Sequence, residues 1–127
     1  MNLQTKILDG AQGGDYLIVV GQGALTEGTL RQTLEKISAT VCTHSARKFL
    51  VDFQYTTIIR KGELDIEEVL ATSNLFLDQC RIVFVCPMGS GHYRSLGELS
   101  ARLSDAGLSA AVFTDPKRAA KWLAQVI

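Results

Sequence analysis

Neither sign of charge is in excess in this chain: 13 lysines and arginines stand against 13 aspartates and glutamates. A protein without a net field is not steered toward nucleic acid or an anionic membrane surface, so neither partner is expected. No apolar run approaches the roughly 20 residues that cross a bilayer, so no membrane span is expected. The start, Met1 to Lys6, lacks a charged segment followed by an apolar block, and no secretory signal is read there. Cysteine is scarce. Cys42, Cys80 and Cys86 form no CxxC pair and are read as reduced, buried thiols of a reducing compartment, which gives a cytoplasmic expectation. With only His44 and His92, and no paired carboxylates at ligand spacing, neither a metal site nor a cofactor is expected. Gly-x-Ser-x-Gly, the P-loop and the dinucleotide fingerprint are also missing.

What remains is ordinary globular composition, 46% hydrophobic and 20% charged over 127 residues, enough for one core and read as a single domain over 1–127. Thr5 to Asp9 reads as a first strand and Gly10 to Asp15 as a turn. Tyr16 to Val20 follows as a strand whose unbroken apolar character suggests burial on both faces. Gly21-Gln22-Gly23-Ala24 is expected to break it. Thr26 is then a plausible N-cap for an amphipathic helix with Leu30, Leu34, Ile37 and Val41 on one side. A polar connection over Thr43 to Arg47 leads to a central strand, Phe49 to Phe53.

Gln54 to Gly62 reads as loop or short strand. Asp65 starts a second helix with Ile66, Val69, Leu70, Ser73 and Leu77 in one stripe, ending near Cys80. Ile82 to Cys86 is a strand stopped by Pro87. Leu96, Leu99, Leu103 and Ala106 make a third helix, with Ser95 as its cap and Gly107 as its C-terminal stop. Ala110 to Phe113 is the last strand. Asp115 caps a final helix with Pro116 in the first turn, where its missing N–H costs nothing; Ala119, Ala120, Leu123 and Val126 face inward with Trp122 beside them. The fold class is therefore α/β, a mixed and mostly parallel sheet of about five strands in β-β-α-β-α-β-α-β-α order with helices packed on it.

That order, with Lys48-Phe49-Leu50-Val51-Asp52 as third strand and Ala111-Val112-Phe113-Thr114-Asp115 leading into Ala119-Ala120-Lys121-Trp122-Leu123, resembles the STAS domain. More narrowly it resembles the small free-standing bacterial SpoIIAA-like proteins, related in fold to CRAL-TRIO lipid carriers. The resemblance covers nearly the whole chain and implies a regulatory module that binds protein partners. It also implies a phosphorylatable serine or threonine after the third strand, in an aspartate–serine–serine/threonine–glycine type motif. Asp52 matches the aspartate that ends that strand, but Phe53 to Arg60 contains no such motif. Thr56 and Thr57 offer only nearby hydroxyls, which puts a kinase-controlled switch in doubt.

Among the residues themselves, Pro87 to Ser95 is the richest segment. It leaves a strand and opens a helix, where unpaired N–H groups and the helix dipole favour an anion. Gly89 and Gly91 permit close backbone approach, Ser90 offers a hydroxyl, His92 titrates near neutrality and Arg94 brings a fork of donors. An ordinary connecting turn competes with this reading. In parallel sheets ligands bind outside the carboxyl ends of strands. Asp52, Thr56, Thr57, Gly21 to Gly23 and Gly89 to Arg94 are all expected at such ends, as one site. A Ser90–His92–Asp52 triad can be drawn, but neighbouring residues rarely hold triad geometry.

Three function classes follow. The first is a non-catalytic binding module docking a protein partner or itself through the loops after the strands. The second is a carrier or sensor of a small apolar or anionic ligand, held between sheet and helices in a cavity lined by Leu64, Val69, Phe76 and Leu77 or at the Gly89–Arg94 loop. The third is a hydrolase using Ser90 and His92.

Overall fold

The computed structural model describes the backbone of residues 2–10, 14–44, 48–57, 65–72, 80–86 and 91–124, and the side chains of 16–41, 48–56, 65–71, 80–86 and 93–123. Within these, the chain runs β1 (Asn2–Gly10), β2 (Gly14–Ala24), α1 (Glu27–His44), β3 (Lys48–Thr57), α2 (Ile66–Thr72), β4 (Arg81–Val85), α3 (Gly91–Asp105), β5 (Ser109–Phe113) and α4 (Pro116–Ala124). The protein is thus α/β, with the five strands in one sheet in the spatial order β1-β2-β3-β4-β5. β1 is antiparallel to β2, while β2 through β5 are all parallel.

Each parallel step moves one place in the same direction across the sheet, so right-handed crossovers put α1, α2 and α3 on a single face. Packing agrees. Leu30, Leu34 and Ile37 of α1, Ile66 and Val69 of α2, and Leu96, Leu99 and Leu103 of α3 join Leu17, Val19, Phe49, Val51, Phe53, Ile82 and Phe84 in one core. The Phe53 and Phe84 rings stack there with centroids 6.3 Å apart. The alternate strand residues Leu50, Val83 and Val85 form a second, smaller core with Ala119 and Leu123 of α4, as the period-2 pleat requires. Three helices cover one face and a single helix covers the other.

Local chemistry fixes the helix ends. Thr26 caps α1 through its side-chain oxygen, which accepts from the Thr29 N–H at 3.2 Å, while the Thr26 N–H donates to Thr29 Oγ1 at 2.8 Å, a reciprocal cap. Asp65 caps α2 by accepting from the Glu68 N–H at 3.1 Å, and its own N–H donates to the Glu27 carboxylate at 2.9 Å, tying the starts of α1 and α2 together. An Arg102–Glu67 ion pair links α3 to α2. α3 is closed by Gly107, two residues past its end, whose φ of 96° suits glycine. Gly107 N–H bonds to Ser104 O and Leu108 N–H to Leu103 O, a Schellman ending with Leu103 and Leu108 in apolar company. Asp115 caps α4 by accepting from the Lys117 N–H at 2.9 Å, with Pro116 at the first helical position.

Several expectations need correction. Gly21 to Ala24 does not break β2. The strand continues through it, with a register irregularity between Val20 and Gln22 against β3 and a φ of 99° at Gly23 absorbing the bend. Thr43 and His44 belong to α1, and Ser95 lies inside α3, buried, rather than capping it. β2 is not buried on both faces. Leu17 and Val19 are buried whereas Tyr16, Ile18 and Val20 are half-buried, because α4 packs on β3, β4 and β5. Of the expected turn Gly10 to Asp15, Gly10 belongs to β1 and Gly14 and Asp15 to β2, carried there by the antiparallel pairing; residues 11–13, Ser73, Leu77 and Val126 fall outside the described residues.

Candidate functional site

Parallel pairing carries the sheet register straight across four strands. One row reads Val20, Asp52, Val85, Phe113, and it is the last complete row before the C-terminal edge. Beyond it β1, β2 and β3 continue among the described residues: Gly21 and Gln22 pair with Leu3 and Asn2 on one side, and Gln22, Gly23 and Ala24 pair with Tyr55, Thr56 and Thr57 on the other. Strand pairing of β3 with β4 stops at Asp52 and Val85, so this extension stands above the β4 and β5 part of the sheet. α3 starts at this same edge, since its far end meets the N-terminal edge, where the Ser109 N–H bonds to Cys80 O. The strand ends that carry Gly21 to Gly23, Asp52 and Thr56, and the helix start that carries Gly91 to Arg94, therefore share one rim.

Asp52 is half-buried. Its neighbours in the row are valines, and desolvation pushes its carboxyl above the ordinary value of 3.8, only partly offset by the Gln54 N–H, which donates to Oδ1 at 2.9 Å. A rim carboxyl that holds its proton more readily than usual is the kind of group found at working sites. Thr56 is not in a loop but in β3. Its Oγ1 donates to the Phe53 carbonyl at 2.7 Å, so the hydroxyl proton is committed to the backbone near the irregularity. Thr57 is the last residue of β3, paired with Ala24; its side chain lies outside the described residues.

Gly91 and His92 form the first turn of α3, with side-chain placement outside the description, and Arg94 is exposed on the same turn. Gly89 and Ser90 lie outside the described residues, as do Leu64, Phe76 and Leu77 of the anticipated cavity, whereas Val69 is wholly buried in the main core. Among the described residues no three histidine, cysteine, aspartate or glutamate side chains cluster as metal ligands, and no helix is long and apolar enough to cross a membrane. Cys80 and Cys86 are buried in the main core.

Two rim residues escape sequence reasoning. Among the described residues the exposed large hydrophobic side chains are Tyr55, 61% exposed, and Tyr93, 45% exposed, and both sit at this edge. Tyr55 carries one local signal, an aromatic between polar Gln54 and Thr56 where alternation from Phe49, Val51 and Phe53 points inward. Tyr93 carries none, because it lies three residues before Leu96 and helical spacing groups it with the buried stripe. With Gln22 and Gly23, both exposed, the rim offers two phenols and a half-buried carboxyl. Such a surface can bury aromatic area and exchange hydrogen bonds with a partner.

No protein-family model, curated protein or solved structure matches the chain.

Proposed function

We propose that this chain is a non-catalytic binding or regulatory module, a single SpoIIAA-like STAS-type domain, that docks a protein partner or a second copy of itself through the C-terminal rim of its sheet. One observation carries the reading: the exposed aromatic side chains Tyr55 and Tyr93 both fall on that rim. Tyrosine presents a large, stiff, amphipathic surface at low entropic cost, which is why it is enriched where proteins meet. The element order in common with STAS domains supports the class, and the raised Asp52 carboxyl marks the same edge.

Sedimentation velocity over a range of concentrations, run on the pure protein and on an extract of its source organism, tests the proposal. The expected result is a species heavier than the 13.8 kDa chain in at least one setting, returned to monomer by joint replacement of Tyr55 and Tyr93. A monomer throughout would overturn it.

A further inference from the structure

Arg81 opens β4, and the residue is only 9% exposed. An arginine this deeply buried is ordinarily paired with a carboxylate, because an uncompensated buried charge is costly. Here the Nη2 group donates to the Trp122 carbonyl at 2.6 Å, and the guanidinium carbon lies 3.9 Å from the centroid of the Trp122 ring. The partial charge of a helix C-terminus and a ring face offset the charge in part. They do not complete the group. Nε is shut off from solvent and has no hydrogen-bond partner, and among the described residues no carboxylate forms an ion pair with Arg81. Desolvation accordingly pushes its pKa down with no opposing charge to restore it.

The register places Lys48 and Ser109 on either side of Arg81 in one row, and directly paired residues of a parallel sheet share a face. The buried side chains of Leu50, Val83 and Leu123 form the small core next to that row, which keeps the guanidinium in apolar surroundings. Two adjacent cations, a hydroxyl and an unfilled N–H bond together describe an acceptor that carries negative charge.

We propose that Arg81 is the centre of an oxyanion-binding site at the N-terminal edge of the sheet, receiving a carboxylate or phosphate oxygen on Nε with Lys48 alongside. The half-buried Lys48 and Ser109 side chains move to admit it. This site lies at the edge opposite the docking rim and stands or falls independently of it. The oxyanion has two sources, a free anion such as phosphate or the headgroup of a molecule whose apolar part rests on the partly buried Trp122.

Trp122 is the only tryptophan of the chain, so its fluorescence reports directly on the guanidinium stacked over it. The full-length protein is titrated with sodium phosphate and with sodium octanoate at constant ionic strength in a buffer free of other oxyanions. A saturable change with phosphate alone identifies a free-anion site, with octanoate alone an apolar carboxylate site, and with both a site that reads only the oxyanion; each supports the proposal. Arg81→Met is expected to weaken the response at least tenfold. Lys48→Gln, which leaves the Arg81–Trp122 stack in place, is expected to weaken it severalfold and decides the matter should the first variant fail to fold. No saturable response to either anion, or one that survives both substitutions, would overturn the proposal.

Discussion

Tyr55 and Tyr93 separate stability from binding. With a tyrosine presenting on the order of 200 Å², exposures of 61% and 45% leave about 120 and 90 Å² open. Covering those areas at ~25 cal/mol per Å² is worth about 3 and 2 kcal/mol. Association costs consume part of that gain, so removal of both rings is expected to weaken binding by about 2–4 kcal/mol, roughly 30-fold to several hundredfold. Folding should hardly register the change, because exposed positions contribute within about 0.5 kcal/mol each. Tyr55→Thr replaces one strand-favouring residue of β3 by another, and Tyr93→Ala puts a good helix former in α3. Sedimentation equilibrium of the complex reads affinity, and urea unfolding of the same samples reads stability. Unchanged affinity refutes the docking assignment. A stability loss beyond about 2 kcal/mol refutes its premise, since the rings would then be packed rather than waiting for a partner.

Three further outcomes follow from the same coordinates. Gly107→Ala should cost about 1–3 kcal/mol in urea unfolding, purely from backbone strain, because φ is +96° and nothing lies within 4 Å of the added carbon; an unchanged midpoint would contradict the Schellman ending of α3. Leu123→Ala, at a fully buried position of the one-helix core, should cost about 2–5 kcal/mol, and a loss under about 1 kcal/mol would mean that α4 does not anchor that face. Asp52 has a raised folded-state pKa, so the folded protein holds its proton more tightly than the unfolded chain. The native state therefore loses stability as pH climbs from the ordinary carboxylate range through the raised value, and stays lower above it. Asp52→Asn, still able to accept the Gln54 N–H, should be the more stable protein at pH 7, with the difference vanishing below the ordinary value of 3.8. A wild type more stable than the variant at pH 7 would show the carboxylate to be paired.

The order of elements was legible because each rests on local periodicity or a cap: Leu30, Leu34 and Ile37 on α1, Leu96, Leu99 and Leu103 on α3, and the Asp115-Pro116 start of α4. Strand ends were not. Gly21 and Gly23 read as a break because glycine is the usual punctuation, yet an irregularity against β3 lets the strand pass through them, and Thr56 is carried into β3 by the same pairing. The half-burial of Ile18 depends on how far α4 extends over the sheet, which no run of apolar residues encodes. Asp52 could be picked out, since an aspartate at the end of an apolar strand is conspicuous. Arg81 could not, as its partner Trp122 is 41 residues away in sequence. Gly89 to His92 drew attention through glycine and histidine chemistry, while the aromatic exposure that identifies the rim is a property of the assembled sheet edge.

The docking claim is tested most directly by a photo-reactive benzoylphenylalanine placed in turn at Tyr55, at Tyr93 and at Ser104, which is exposed near the far end of α3, followed by irradiation of the full-length protein in its native extract. The account predicts one discrete adduct, a partner or a second copy, formed from Tyr55→benzoylphenylalanine and Tyr93→benzoylphenylalanine and absent from the Ser104 variant. Adducts from Ser104 alone, or none from either rim position, would contradict it.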